Sequence, residues 1–555
     1  MEKASTPGGL FVRQASGLVR DVSMANALFF NISAFVGTAI GWAVAFYALY
    51  PEWQALGISA FAWMAILTGI ACYFLGMIFA SLTTAMPRSG GDYVFTSRII
   101  SPFLGWLESW TLVGSALTII GFEIIVASHN IQLTAILIGV AFPGSAFANA
   151  PNWLQDNTSK AIVGVIILLV IFGISILRTR TFHKVVTGLT IFAIISVAIS
   201  FFGAFFISPD AVNNALPALG TSSKAILDTA AKANFSLGSP DFSFNPGLIG
   251  LAGLVSVVLF QYIGFQFSSY IAGEVKGNVR RSVLFAVIGA LLFAVFMNSL
   301  YQDVLGNHFG FKLMNAWGYL YWNGAGAPLN GNPPFTPVIA TAVYPAAWPL
   351  WLIVSVGNTV LNVLLCPVYA IFLSRIVLAW SLDRQVPEWF SVVNERTNAP
   401  LRVIILAVLL GAMFYVLTFF GLNLASTTFF GVLLAGLTWI LPGLNAILIP
   451  YRRPDLFQLT NNTKRFLGLP RLVWFGILWL VFILPVYAAA FVYPVIQGIQ
   501  NQGGAYLSLS STNTSGIGWA LVFLLIGIVI YFVMRFVNTS RGINVKMIYQ
   551  ELPPD

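Results

Sequence analysis

The chain has 555 residues, of which 58% are hydrophobic and only 8% are charged, and its net charge is +9. In soluble domains about a quarter of all residues are charged, so a chain this apolar must be solvated mainly by lipid. The composition excludes an ordinary soluble protein, and the positive charge is interpreted as a membrane-orientation signal rather than a sign of nucleic-acid binding. Cys72 and Cys366 lie in apolar runs, so no disulfide, metal site or cofactor is expected.

Apolar runs of about 20 residues predict an all-α, polytopic membrane protein with twelve membrane-spanning helices, called helices 1 to 12 below. Near the amino terminus no small-residue cleavage site follows a short apolar core, so helix 1 is expected to be the insertion signal. The runs lie at 22–50, 56–85, 102–140, 161–178, 184–208, 248–273, 282–304, 346–380, 401–421, 425–449, 472–496 and 516–537.

The distribution of basic residues predicts the orientation of these helices. If the amino terminus is cytoplasmic, every lysine and arginine falls on the cytoplasmic side except Lys160, Lys224, Lys232 and Lys312. An even number of helices then satisfies the positive-inside rule throughout the chain. Both termini are therefore predicted to be cytoplasmic, in a multi-pass protein of the plasma membrane.

Two of the predicted helices are interrupted near their middle. Helix 1 contains NISAFVGTAIGW, residues 31–42, and helix 6 contains FQYIGFQFSS, residues 260–269, with Gly264 at its centre. In a single helix, small residues more often serve close helix packing. Interruptions in the first and sixth helices, however, are expected when helices 1–5 and 6–10 form a five-plus-five inverted repeat, with a solute site at the shared midplane.

This repeat predicts a division of the chain into six parts. The outer loop at 209–247, like the outer loops 305–345 and 497–515, is rich in Gly, Pro, Asn, Ser and Thr. The parts are a cytoplasmic segment 1–20, a first five-helix repeat 21–208, an extracellular loop 209–247, a second repeat 248–450, peripheral helices 11 and 12 in 451–538, and a cytoplasmic tail 539–555.

The exit of helix 6 carries the pattern F-x-Y-x-G-F followed by A-x-E-x-K-x-N-x-x-R, which resembles the signature of amino acid–polyamine–organocation permeases. Three further segments are similar to that superfamily: residues 72–106, which contain PRSGGDY, residues 374–400 after helix 8, and GTAIG at 37–41 in helix 1. The resemblance covers roughly residues 20–450. It implies a secondary transporter with the five-plus-five fold and discontinuous helices 1 and 6, and no enzymatic activity.

The resemblance and the chemistry of an α-amino acid together predict the substrate site. Stripping water from a carboxylate and an ammonium is costly unless the protein replaces it. Free N–H groups near Thr38 suit the carboxylate, carbonyls at the two breaks suit the ammonium, and Phe265 is expected to cover the substrate. The predicted substrate-binding residues are Ser33, Val36, Gly37, Thr38, Ala39, Phe260, Tyr262, Ile263, Gly264 and Phe265.

At three positions the sequence departs from the superfamily pattern. Ala39 stands where a second glycine is usual, Gly41 where a phenylalanine is usual, and Gln266 where relatives often have an acid. Backbone binding tolerates these changes. Substrate choice is therefore expected to differ from that of the commonest members.

Two acidic residues, Glu108 and Glu123, fall well inside helix 3. A carboxyl group inside a membrane is expensive and commonly functional. Either glutamate could therefore carry a proton, and Glu123 is the main candidate to couple a proton or to contact the substrate. The alternatives are a neutral glutamate bonded to a neighbouring helix and, for Glu108, a partner for a cytoplasmic arginine. Sodium coupling would need polar groups of helix 8, for which Ser355, Asn358, Thr359 and Asn362 are candidates, and such residues also join helices.

The charged run Glu274, Lys276, Arg280 and Arg281 after helix 6 could pair with Asp383, Arg384 and Glu388 as an inner gate. Charge runs at membrane exits are more often solvated orientation signals.

The predicted function is secondary active transport of amino acids by alternating access, coupled to a proton or to sodium, with the lipid bilayer as solvent. Polyamine, organic-cation or nucleobase transport on the same scaffold, and amino acid exchange, are the alternatives. A redox-driven proton pump is disfavoured because His129, His183 and His308 fall near span ends or in loops. A channel is disfavoured because no polar stripe or filter repeat is present.

Overall fold

The structure is a computed structural model, and it describes residues 18–35, 54–55, 58–154, 156–235, 255, 258–259, 261–322, 324–422, 435–502 and 517–552. These residues are mostly helical, as the composition predicts. The strands among them are two short antiparallel pairs: Gln54–Ala55 pairs with Ile58–Ser59, and Arg465–Phe466 pairs with Leu469–Pro470.

Eight helices of the described chain are long and apolar enough to cross a membrane. They correspond to predicted helices 2, 3, 4, 5, 7, 8, 9 and 12. In that order they are Phe61–Ala85, Pro102–Ala141, Asn157–Ser175, Thr179–Ala204, Val279–Phe309, Pro345–Leu382, Leu401–Phe420 and Ile517–Ser540. Helix 7 contains a π-helical turn at Met297–Tyr301, between the α-helices Val279–Phe296 and Gln302–Phe309.

The other four predicted helices are described only in part or are shorter. Helix 1 is described as Met24–Phe35 and helix 10 as Leu437–Arg452. Helix 11 runs as Arg471–Tyr487 and continues through the π-helical turn Ala488–Val492 into Tyr493–Gln502. Helix 6 is described at residues 255 and 258–259 and from residue 261 onward. The count of twelve spans, the division of the chain and the inverted repeat therefore stay predictions.

The start of helix 3 follows directly from the local sequence. Ser101 has an extended backbone and its hydroxyl accepts a hydrogen bond from the Leu104 N–H at 3.2 Å, while Pro102 occupies the first turn. Serine at the cap and proline just inside it are the preferred residues at a helix start. The predicted Ser101-Pro102 start is confirmed.

Helices 3 and 8 form the centre of the molecule, because they pack along each other and are the most buried of the spans. Helix 4 lies at the periphery and exposes an apolar face formed by Ile162, Val165, Ile166 and Leu169. This spacing of three and four residues places the side chains on one side of the helix. An exposed apolar stripe of this kind suits contact with lipid.

Shorter helices connect the spans. Several of them lie in the predicted outer loops. The helix Asp92–Ile99 lies between helices 2 and 3 and is too short to be predicted from 20-residue apolar runs. The short α-helices are Asp92–Ile99, Pro209–Ala215, Ser223–Lys232, Phe311–Trp322, Pro328–Gly331, Thr336–Val343, Pro454–Phe457 and Val545–Ile548. The 3₁₀ turns are Ala146–Asn152, Leu216–Leu219, Phe267–Ser269, Ala272–Glu274, Pro345–Ala347, Glu388–Ser391 and Thr418–Phe420.

Candidate substrate and coupling sites

The helix 6 segment is interrupted where the sequence predicts it. Residues 261–262 are helical, residues 263–266 form turns, and the chain continues through the 3₁₀ turns Phe267–Ser269 and Ala272–Glu274. Gly264 has a φ of +110°, a conformation that side chains with a β-carbon rarely adopt. The glycine therefore permits the break itself.

The break in helix 6 touches the end of the described part of helix 1. A β-carbon built on Gly264 would lie 2.7 Å from the Ala34 β-carbon and 3.0 Å from its carbonyl carbon. Helix 1 is described to Phe35, one residue further on. The predicted contributors Val36, Gly37, Thr38, Ala39 and Phe260 lie outside the described residues, so their roles stay predictions.

The side-chain amide of Asn31 in helix 1 binds the interrupted segment through both its nitrogen and its oxygen. Its Nδ2 donates to the Phe265 carbonyl at 2.6 Å and to the Ser268 hydroxyl at 3.1 Å, and its Oδ1 accepts from the Ser268 N–H at 2.6 Å. Asn31 is completely buried. Sequence reasoning did not select this residue, although an asparagine in an apolar helix signals that its amide must find partners.

The remaining predicted side chains at the break are engaged with the protein. The Ser33 hydroxyl donates to the Phe30 carbonyl of its own helix at 2.9 Å. The Tyr262 hydroxyl donates to the Ala65 carbonyl of helix 2 at 2.8 Å. The Phe265 ring packs on Gly76 of helix 2, where an added β-carbon would lie 3.2 Å from the ring. Ile263 is half-buried. These side chains therefore contact neighbouring parts of the protein around the break.

Polar atoms without partners are concentrated in the same segment. Both side-chain polar atoms of Gln261, the Oε1 of Gln266 and the hydroxyl of Ser269 are buried and have no hydrogen-bond partner in the described chain. Leaving such a group unpaired costs about 1–3 kcal/mol. A polar solute or water bound at the break would satisfy them.

Glu123 is completely buried and lies against helix 8. Its Oε2 accepts from the Asn362 Nδ2 at 2.5 Å, and the Asn362 Oδ1 accepts from the Asn130 Nδ2 of helix 3 at 2.9 Å. The Glu123 Oε1 has no hydrogen-bond partner in the described residues. One oxygen of the carboxyl group is thus hydrogen-bonded, and the other has no partner among the described residues.

The predicted sodium ligands of helix 8 differ in their surroundings. The Ser355 and Thr134 hydroxyls are 2.7 Å apart, and the Thr359 hydroxyl donates to the Ser355 carbonyl at 3.0 Å. These two candidates join or stay within helices, which was the alternative interpretation. Asn358 is completely buried and neither atom of its amide has a partner among the described residues.

A cavity of about 530 Å³ lies elsewhere, between helices 3, 4, 5 and 8. Its walls are almost wholly apolar, and Thr134 and Thr359 are the polar residues that line it. No described residue of helix 1 or of the helix 6 segment contributes to it. Its lining suits an apolar group rather than an amino acid zwitterion.

The charged run after helix 6 does not form the predicted gate. Glu274 pairs with Arg375 of helix 8 at 2.7 and 2.8 Å, and both side chains are completely buried. Lys276 pairs with Asp21 at 2.6 Å and lowers the pKa of that carboxyl. Arg280 and Arg281 are exposed.

The other half of the predicted gate also finds different partners. Asp383 binds Arg98 with two contacts, at 2.5 and 2.8 Å, again fully buried, and Arg384 lies 3.6 Å from Glu388. The predicted pairing of the two runs is therefore wrong. A buried carboxylate needs a cation that is buried with it, and Arg375 and Arg98, which counted only as orientation signals in the sequence, supply that charge.

Backbone hydrogen bonds join the entry of helix 1 to the exit of the helix 6 segment. The Val22 N–H donates to the Glu274 carbonyl at 2.9 Å, and the Lys276 N–H donates to the Val22 carbonyl at 2.8 Å. With the Asn31 and Gly264 contacts, helix 1 thus follows the helix 6 segment from the break to its charged end.

The spans and their exposed apolar faces define a multi-pass membrane protein in which an interrupted helix is bound to the first helix. Residues 23–507 match the family model described as amino acid permease. The chain belongs to this family of transport proteins, within the amino acid–polyamine–organocation superfamily that the helix 6 signature resembles.

Individual relatives are distant. The chain is 25% identical to the branched-chain amino acid permease BcaP of Lactococcus lactis over 239 residues, 41% of this chain and 44% of that one. It is 23% identical to the methylthioribose transporter of Bacillus subtilis over 402 residues, 70% and 73% of the two chains. It is 27% identical to the serine/threonine exchanger SteT of Bacillus subtilis over 183 residues, 33% and 37%. The matches to BcaP and SteT thus span less than half of those proteins.

Proposed function

We propose that this protein is a secondary transporter that moves neutral amino acids across the plasma membrane by alternating access, driven by a proton gradient. The observation that carries the proposal is the approach of Gly264 to Ala34, which joins a broken helix 6 to the end of the described part of helix 1. Broken helices free backbone groups at membrane depth, and such groups are tolerated where they line a cavity.

The two breaks supply complementary groups for a zwitterion. The N–H groups of Val36, Gly37, Thr38 and Ala39 would receive the carboxylate at the start of a half-helix. Carbonyls near Ser33 and from Phe260 to Ile263 would receive the ammonium, beside Gly264 and Phe265. Neither residues 31–42 nor residues 260–269 contain an ionised side chain. Backbone dipoles therefore have to replace the water of both charged groups.

The sequence at the break favours neutral amino acids over polyamines. Gln266 stands where relatives often have an acid, and it is buried beside the turn at Gly264. A polyamine has no carboxylate for the helix 1 N–H groups and would bring at least two positive charges into a segment without acids. Its desolvation would be largely uncompensated.

Proton coupling is assigned to Glu123. Its carboxyl group is buried between helices 3 and 8 with one oxygen held by Asn362 and one open. Removal of the proton would leave a charge that the Asn362 amide only partly offsets. Sodium coupling through Asn358 and amino acid exchange, the activity in the name of SteT, are the competing modes.

A ligand screen on the purified protein tests the substrate class. Thermal unfolding is followed with branched-chain and hydroxyl amino acids, cationic amino acids, a polyamine, a nucleobase and methylthioribose, because a ligand of the native state raises the unfolding temperature. Each stabilising amino acid is paired with its methyl ester and its deaminated acid, which lack one charged group. We expect neutral amino acids to raise the unfolding temperature, and their methyl esters and deaminated acids to leave it unchanged. Stabilisation only by polyamine, nucleobase or methylthioribose, or by no compound, contradicts the proposal.

A further inference from the structure

Two acidic side chains lie together near the start of helix 3, outside the substrate and coupling sites. Asp92 begins the short helix Asp92–Ile99, and Glu108 lies in the second turn of helix 3. Both residues are completely buried. This end of helix 3 is the one predicted to face the cytoplasm.

Close packing of two helices brings the pair together. A β-carbon built on Gly105 would lie 2.8 Å from the Ser97 backbone nitrogen, so helix 3 contacts the short helix directly. Glu108 is one turn beyond Gly105 and lies beside Thr96, and its charge interacts with that of Asp92. The two carboxyl groups thus share one enclosed space.

The basic side chains around this space are bound to other acids. The charged and titratable groups around the pair in the described chain include Tyr93, Arg98, Tyr270, Glu274, Arg375, Asp383 and Tyr549. Arg98 and the Tyr93 hydroxyl bind Asp383, and Arg375 binds Glu274. Arg452 of helix 10 is exposed and donates to the Ile100 carbonyl at 3.0 Å.

Several polar atoms at the pair are left without partners. Neither Glu108 oxygen nor the Asp92 Oδ2 has a hydrogen-bond partner in the described chain, although the Asp92 Oδ1 accepts from the Tyr93 N–H at 2.8 Å. On helix 10, Asn445 donates to the Thr96 hydroxyl at 2.8 Å, and its Oδ1 is buried without a partner. Three different elements therefore direct unsatisfied oxygens at this region.

Two buried carboxylates without a counter-cation cannot both be ionised, because each charge is poorly solvated and repels the other. We propose that Asp92 and Glu108 bind one exchangeable proton between them and form a second proton site, at the cytoplasmic end of helix 3 and separate from Glu123. A proton between two carboxyl groups leaves a single negative charge and supplies a hydrogen-bond donor.

The site is connected to the exit of the helix 6 segment. The Tyr270 hydroxyl lies beside the Asp92 carboxyl, and the Tyr270 ring packs on Gly91, where a β-carbon would lie 2.4 Å away. The Tyr270 carbonyl accepts from the Gly90 N–H at 3.0 Å. Loss of the proton would add a charge next to this tyrosine. Provided that the proposed transport function holds, proton release at the pair would strengthen the contact between Tyr270 and Asp92 and hold the exit segment in place.

Burial raises the pKa of Asp92 to about 7, which supports proton exchange near neutral pH. The test combines transport and spectroscopy on the full chain. Labelled amino acid counterflow is measured in proteoliposomes at equal internal and external pH, from about pH 5 to about pH 9. Wild type is compared with Asp92→Asn, Glu108→Gln and the exposed-site control Asp455→Asn. Infrared difference spectra over the same range follow the carbonyl band of protonated carboxyl groups.

The expected result is a pH-dependent counterflow rate in wild type and in Asp455→Asn, and a changed profile in both pair variants, in which only the pH dependence due to Glu123 remains. Wild type should show a titrating carboxyl band that is lost in Glu108→Gln, while the band due to Glu123 stays. Absence of such a band from wild type, or an unchanged pH profile in folded pair variants, overturns the proposal. A sodium dependence that the pair variants abolish also overturns it, since the bound cation is then sodium. Absent counterflow in all samples contradicts the transport function alone, and the infrared titration still decides the pair.

Discussion

Gly264 lies against Ala34 so closely that a β-carbon on the glycine would come within 2.7 Å of the alanine side chain. This contact joins a turn in the helix 6 segment to the last described turn of helix 1. Asn31 fixes the same pair of elements one turn earlier, through the Phe265 carbonyl and Ser268. The interruption in helix 6 and the described end of helix 1 therefore form one structural unit.

Gly264→Ala is expected to destabilise the protein strongly, because the new methyl group meets Ala34 and the φ of +110° is unfavourable for alanine. Gly277→Ala is the matched control, since Gly277 also has a positive φ, +68°, but has open space around its β-position. In the control, conformational strain alone should lower the free energy of unfolding by about 1 kcal/mol. At Gly264, strain and steric overlap together should lower it by more than about 3 kcal/mol. Unfolding in detergent measures both, and equal losses would contradict the close approach.

Asn31→Ala should lower the free energy of unfolding by about 2–4 kcal/mol, because it leaves the buried Ser268 N–H without its partner and removes three hydrogen bonds. Asn26→Ala on the same helix is the control. Asn26 is half-buried and its side chain accepts a single bond, from Thr187 at 3.1 Å, so its loss should be about 1 kcal/mol or less. If both variants lose the same stability, Asn31 does not join the two elements.

Glu274→Gln should cost about 3–5 kcal/mol, because the completely buried Arg375 then lacks its counter-charge. Combining it with Arg375→Met should recover much of the loss, since the uncompensated charge is gone. Asp455→Asn breaks the exposed pair with Arg453 and should change stability by about 0.5 kcal/mol or less. A Glu274→Gln variant as stable as Asp455→Asn would show that the buried pair does not form.

Asp92 should make the protein less stable as the pH rises. Burial raises its pKa from 3.8 to about 7, so the native state keeps a proton that the unfolded chain releases. Its contribution to stability is complete below about pH 4 and is lost as the pH rises through about 7. Asp92→Asn does not titrate, so its stability relative to wild type should increase across this window, by at most about 4 kcal/mol, and level off above it.

The exposed carboxyl group of Asp228 provides the comparison for this pH series. Asp228→Asn is the surface control and should follow the wild-type profile across the same range. Parallel profiles for wild type and Asp92→Asn would mean that the Asp92 carboxyl is ionised in the native protein.

The sequence predicts the parts of the structure that depend on local patterns. Long apolar runs mark the spans because the bilayer requires about 20 such residues. Ser101 and Pro102 mark the start of helix 3, and Gly264 marks the break, because each residue has a backbone preference of its own. The superfamily signature adds the partnership between helix 1 and the interrupted helix 6.

Contacts between distant residues could not be predicted in the same way. Arg375 lies 101 positions from Glu274, and Arg98 lies 285 positions from Asp383. Their pairing depends on how helix 8 packs, which composition does not reveal. The pair Asp92 and Glu108 depends likewise on the close contact of Gly105 with Ser97. Asn31 carried a local signal, a single amide in an apolar helix, but its partners lie in helix 6.

The central proposal, that the break in helix 6 and the adjoining end of helix 1 bind and carry an amino acid, is tested most directly by counterflow. Proteoliposomes loaded with an unlabelled neutral amino acid are diluted into a trace of the labelled compound, without any ion gradient. The account predicts transient accumulation of label that vanishes in Gly264→Ala and persists in Gly277→Ala, with both variants folded at the assay temperature. Absence of counterflow with every amino acid, or full counterflow in Gly264→Ala, would contradict it.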